Sequence, residues 1–85
     1  MVDAVVLLCV IPGEEYRVKE ALIAIDEVKT CRITFGEYDL CLEVQTEKIK
    51  HLGSLITKKV RQIEGVTKSI TLIISESLNN ESNSS

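Results

Sequence analysis

At 85 residues the chain holds one compact domain with a single core, which excludes a multi-domain enzyme. Its composition, 45% apolar and 27% charged, is that of an ordinary globular protein, but with two Tyr, one Phe and no Trp the core has to be built from Val, Ile and Leu. Ten Lys and Arg against thirteen Asp and Glu leave a net charge of -3, which argues against a module whose main work is neutralising duplex phosphates.

The longest apolar run, Ala4 to Ile11, falls far short of the ~20 residues of a spanning helix and lacks the basic start and cleavage signal of a secretory peptide. The expectation is a cytoplasmic protein with no membrane partner. Cys9, Cys31 and Cys41 are an odd count, each inside an apolar run, and predict small hydrophobes rather than a disulfide framework.

Val2 to Ile11 is apolar on both faces and ends at Pro12-Gly13, so it reads as a central strand. Glu14 and Glu15 suit the positive end of a helix, and Val18, Ala21, Leu22 and Ile25 give it an apolar stripe to about Asp26. Val28 to Phe35 alternates Cys31, Ile33 and Phe35 with Thr30, Arg32 and Thr34, the pattern of an edge strand. Gly36-Glu37-Tyr38-Asp39 then turns the chain into a third strand, Leu40 to Gln45, by a tight hairpin. Thr46 is the expected N-cap of a second helix with the stripe Ile49, Leu52, Ile56, Val60 and Ile63. Gly53 within it predicts a close backbone approach, and Gly65 ends it. Val66 to Ser75 is the last strand, and the Ser- and Asn-rich residues 77–85 read as a disordered tail after a domain of residues 1–76.

The order β-α-β-β-α-β, with Ile25-Asp26-Glu27-Val28 and Ile63-Glu64-Gly65-Val66 as matching joints, predicts an α+β ferredoxin-like plait. Its four-stranded antiparallel sheet takes the order 4-1-3-2, with two helices on one face. Alternation assigns Leu40, Leu42, Val44, Ile70, Leu72 and Ile74 to the helix side, and Cys41, Glu43, Gln45, Ser69, Thr71 and Ile73 to the open side. Either register of the first strand adds four apolar side chains to that open side. At ~25 cal/mol per Å², a few hundred Å² of such surface favours burial by several kcal/mol, which predicts a homo-oligomer built on a face-to-face dimer.

Chemistry-bearing constellations are sparse. The cysteines and His51 fall on different elements without metal-ligand spacing, and His51 stands among Lys48, Lys50 and Lys58 as a solvated side chain. These lysines, with Lys59 and Arg61, read as a helix face kept in water, and the Asn80-Glu81-Ser82 sequon has no meaning without secretion. Neither an enzyme nor a direct nucleic-acid reader is predicted, and no metal or cofactor is implied. The hairpin differs: Gly36 permits positive φ, Asp39 offers a carboxylate and Tyr38 an amphipathic ring, a corner able either to hold a small zwitterion or simply to turn the chain.

Pro12-Gly13, Phe35-Gly36-Glu37-Tyr38-Asp39, Ile63-Glu64-Gly65-Val66 and Ser69-Ile70-Thr71 together resemble the effector-binding RAM domain of the Lrp/AsnC transcriptional regulators, over roughly residues 2 to 76. The resemblance implies the same plait, dimers that assemble further to octamers, and amino-acid effectors bound between protomers. Gly36, Glu37, Tyr38 and Asp39 would then form the effector loop, and Ser69 and Thr71 the last strand's share of the site. Ser69 stands where Thr is common, which keeps the hydroxyl. Full-length members begin with a helix-turn-helix domain, whereas the first strand here starts at Val2, so the chain looks like a stand-alone RAM protein. Two functions follow: an amino-acid sensor linked to transcription and amino-acid metabolism, or an interaction module that co-assembles with full-length Lrp/AsnC regulators without a ligand.

Overall fold

Side chains along β1 (Val2–Val10) alternate between buried and half-buried without a break, and this strand forms the spine of the computed structural model, which describes residues 1–78. After it come α1 (Glu15–Ile23), β2 (Val28–Ile33), β3 (Leu40–Thr46), α2 (Ile49–Leu55) and β4 (Val66–Ile73). The sheet order is β2-β3-β1-β4 with every neighbour antiparallel, so the ferredoxin-like plait and its strand order stand as expected. Val2, Ala4, Val6, Leu8 and Val10 face the helices. They form one core with Val18 and Leu22 of α1, Leu52 and Leu55 of α2, and Leu40, Leu42 and Val44 of β3.

β4 lies the other way up from its expected facing. Ala4, Val6 and Leu8 pair with Ile73, Thr71 and Ser69, and because directly opposed residues share a face, Ser69, Thr71 and Ile73 stand on the helix side. Ile70 and Leu72 oppose Leu7 and Val5 on the open side. The cause is a bulge: Val10 pairs with Val66 but Cys9 with Lys68, so Thr67 is an extra residue that flips the parity of everything after it. Hydrophobicity alone leaves this hidden, since both faces of β4 need apolar groups.

The second helix also departs from its predicted form. Thr46 is a buried strand residue whose hydroxyl donates to Lys48 O at 3.0 Å; the N-cap is Lys48, with no capping side chain. α2 continues as a π-helical segment, Ile56–Val60, in which Ile56 and Val60 remain buried. Gly53 is not a point of close approach, since a Cβ there meets nothing within 4 Å. Gly53→Ala therefore raises stability by about 1 kcal/mol, the helix-propensity difference, read from urea denaturation.

Gly65 is required. Its φ is +104°, and an added Cβ would lie 2.8 Å from Arg17 Nη2 and 3.2 Å from Val18 Cγ2. The same Arg17 nitrogen donates to Glu64 O at 2.7 Å, and Ile11 N–H donates to Gly65 O at 2.9 Å, so the joint ties α1 and β1 to the start of β4. Gly65→Ala costs about 1–3 kcal/mol in the same measurement.

Past β4 the described chain makes further contacts with the sheet and core. A helical turn spans 75–78, where Ser77 is buried, accepts from Asp3 N–H at 3.0 Å and donates to Ile74 O at 2.7 Å, and Leu78 packs on the core. Residues 79–85 of the expected tail, and the sequon, lie outside the described residues.

Candidate functional site

Gly36, with φ +130°, opens the turn between β2 and β3. The turn is closed by Thr34, whose N–H donates to Asp39 O at 2.9 Å and whose hydroxyl donates to Tyr38 O at 2.6 Å. It is then fastened to the central strand. Asp39 N–H donates to Leu8 O at 2.8 Å, and Asp39 Oδ2 accepts from Val10 N–H at 2.8 Å. The carboxylate therefore staples the hairpin to β1 rather than capping its own turn, and its Oδ1 makes no hydrogen bond among the described residues. Cys9 Sγ approaches Glu37 O at 3.5 Å. Gly36 and Glu37 are exposed, Tyr38 and Asp39 half-buried, and Lys68 Nζ sits 5.7 Å from the centroid of the Tyr38 ring.

The four hairpin candidates thus form one corner. Ser69 and Thr71 do not join it within one chain: β1 separates β3 from β4, and the bulge turns both hydroxyls to the helix side. Sequence reasoning missed Lys68 and the Val10 amide. Lys68 becomes a neighbour of the hairpin only through its pairing with Cys9, which the bulge sets.

The open side of the sheet is more apolar than expected. Val5 and Leu7 of β1 and Ile70 and Leu72 of β4 form a stripe, with Leu72 50% exposed. Toward β2 it gives way to polar pairs, Gln45 Nε2 to Asp3 Oδ1 and Thr30 Oγ1 to Glu43 Oε1, both 2.8 Å. Phe35, which has left the strand pattern, is fully exposed beside the hairpin.

Other groups offer less chemistry. Cys31 lies in the core, where burial pushes its thiol above the ordinary 9.0, opposed by the charge of Lys19 and assisted by Cys41. A thiol so shifted is a poor nucleophile at neutral pH. Asp26, Glu27, Glu47 and His51 rim a cavity of about 440 Å³, but among the described residues no group of three or more ligands is placed to hold a metal ion. Among the same residues no helix is long and apolar enough to cross a membrane.

The family model of the Lrp/AsnC ligand binding domain matches residues 3–83. An uncharacterized HTH-type transcriptional regulator of Pyrococcus furiosus is 30% identical over 56 residues, 66% of this chain and 37% of that protein. The chain spans less than half the length of the curated relatives it matches. Among solved structures, FFRP-DM1 is 38% identical and superposes with a TM-score of 0.84, covering 87% of this chain and 99% of that one. A transcriptional regulator of Neisseria meningitidis, solved as a complex with L-Met, shares the fold at a TM-score of 0.73 and 16% identity, over 86% of this chain and 49% of its own. The family model matches almost the whole chain and the fold agrees with it, and the chain belongs to the Lrp/AsnC ligand-binding domain family.

Proposed function

We propose that the chain is a non-enzymatic, cytoplasmic, amino-acid-binding regulatory protein that works as a homo-oligomer, with face-to-face dimers assembling toward octamers. The observation that carries this reading is Asp39: one oxygen is fixed by Val10 N–H, the other makes no hydrogen bond among the described residues, and the half-buried residue follows the exposed Gly36-Glu37 turn. A carboxylate held in place by one donor is preorganised to accept an ammonium group with the other, at little ordering cost. Amides of the turn meet the ligand's carboxylate, and Tyr38 covers its side chain. Ser69 and Thr71, whose side chains lie on the helix side, complete the cleft from a copy outside the face-to-face dimer, in the larger assembly. Membership of a ligand-binding family supports the reading, as does the L-Met complex of the Neisseria relative. Titration calorimetry with the twenty amino acids tests it; heat from at least one is expected, and silence across the panel contradicts it.

The bare apolar stripe favours a second reading: an interaction module that joins full-length Lrp/AsnC regulators in mixed oligomers without ligand. Co-purification with such a regulator in the absence of any amino acid is its distinguishing result.

A further inference from the structure

The hairpin corner holds a cation as well as a carboxylate. Lys68 pairs with Cys9 across β4 and β1, on the open side, and its Nζ lies 5.7 Å from the centroid of the Tyr38 ring. A cation within about 6 Å of an aromatic face is attracted to it, so the lysine leans over Cys9 toward the hairpin. On the other flank of Cys9, Asp39 is anchored by its bonds to Leu8 O and Val10 N–H. Among the described residues the ion pairs are Arg17 with Glu14 and Lys59 with Glu27, so Asp39 and Lys68 share one corner without pairing with each other or with any other charge.

The Thr67 bulge puts the lysine there. Thr67 Oγ1 donates to Cys9 O at 3.2 Å, which pins the extra residue, and the parity change that sends Ser69 to the helix side brings Lys68 to the open side. Without the extra residue Thr67 would stand opposite Cys9, and the corner would hold a hydroxyl in place of an ammonium group. With β1 between them, the backbones of Asp39 and Lys68 are two strand spacings apart, ~10 Å. Each side chain is held by another group, Val10 N–H or the Tyr38 ring, so the two do not close on one another. An α-amino acid carries an ammonium and a carboxylate on one carbon. Charged hydrogen bonds of ~2.8 Å at both ends let it bridge a gap that the lean of Lys68 makes shorter than the backbone separation.

We propose that Lys68 is a specificity-determining residue of the hairpin site: its ammonium group receives the effector's α-carboxylate, beside the turn amides, while Asp39 receives the α-ammonium. This rests on the amino-acid reading above and narrows it to effectors with both α-groups free, so that amino-acid amides and esters are refused. A neutral zwitterion fits because each charge of the corner then meets its opposite and none is left over.

The test is titration calorimetry of the full chain with the twenty amino acids and with the α-carboxamide of each one that binds, at mildly acidic pH so that the ammonium group is charged in both probes. The native chain is expected to prefer the acid over its amide by at least about tenfold, the lower end for one charged hydrogen bond. Lys68 is exposed, so Lys68→Gln leaves the core untouched; in it, binding of the acid is expected to fall to that of the amide. Lys68→Arg keeps the preference, and Lys50→Gln, which removes an exposed cation on α2, leaves it unchanged. A lysine that only steadied the hairpin would weaken acid and amide alike. A preference that survives in Lys68→Gln therefore overturns the proposal, as does a native chain that binds acid and amide equally, and both results leave the amino-acid reading standing. Silence of the native chain toward all twenty amino acids overturns the two together.

Discussion

Leu72→Glu is expected to turn an oligomer into a folded monomer. Leu72 is half exposed on the open side, opposite Val5, so the helix-side core loses nothing when it changes. In a two-fold interface each substitution appears twice, placing two charges where two Leu side chains would be buried. Each fully buried Leu is worth roughly 1.5–3 kcal/mol, so the pair of changes weakens the dimer by at least about 3 kcal/mol, on the order of a hundredfold in Kd, before any charge repulsion. Size-exclusion chromatography with light scattering reads the change, and far-UV circular dichroism confirms the fold. An unchanged mass would show that another surface holds the copies together.

Asp39→Ala carries the second large effect. It removes the 2.8 Å bond from Val10 N–H to a charged acceptor and leaves that part-buried donor without its partner, a loss of about 1.5–3 kcal/mol of stability. Amino-acid binding should vanish with it. Asp39→Asn separates the two roles: an amide oxygen still accepts from Val10 N–H and recovers most of the stability, but it offers no charge to an ammonium group, so binding stays at least tenfold weaker. Chemical denaturation gives the first quantity and calorimetry the second. If Asp39→Asn bound amino acids as well as the native chain, Asp39 would be only a staple.

The features legible in the sequence were those written in local pattern. Alternation in Leu40–Gln45, the apolar runs of β1 and the Gly36 turn located the hairpin and the central strands, and the repeated joints at Glu27-Val28 and Gly65-Val66 led to the strand order. What stayed hidden depended on single-residue events in three dimensions. One extra residue at Thr67 reversed β4, moving Ser69 and Thr71 off the open side and Ile70 and Leu72 onto it. Spacings of three and four fit α2 and its π-helical continuation equally well, since both keep Ile56 and Val60 inside. The Ser77 hydroxyl is polar enough to read as tail, yet it is bound to Asp3 and Ile74. At the corner, Asp39 was recognised by residue type, but its bond to Val10 spans two strands and leaves no trace in spacing. The β4 reversal strengthens the case for association, because the open side gains Ile70 and Leu72 and gives up Ile73 with the two hydroxyl residues Ser69 and Thr71.

Sedimentation equilibrium of the unmodified chain at micromolar concentration weighs the bare sheet face most directly. A mass of two chains or an even multiple of that is the predicted result; a single species of one chain's mass, 9.5 kDa, would mean that water tolerates the face and that no cleft between copies exists to hold an effector.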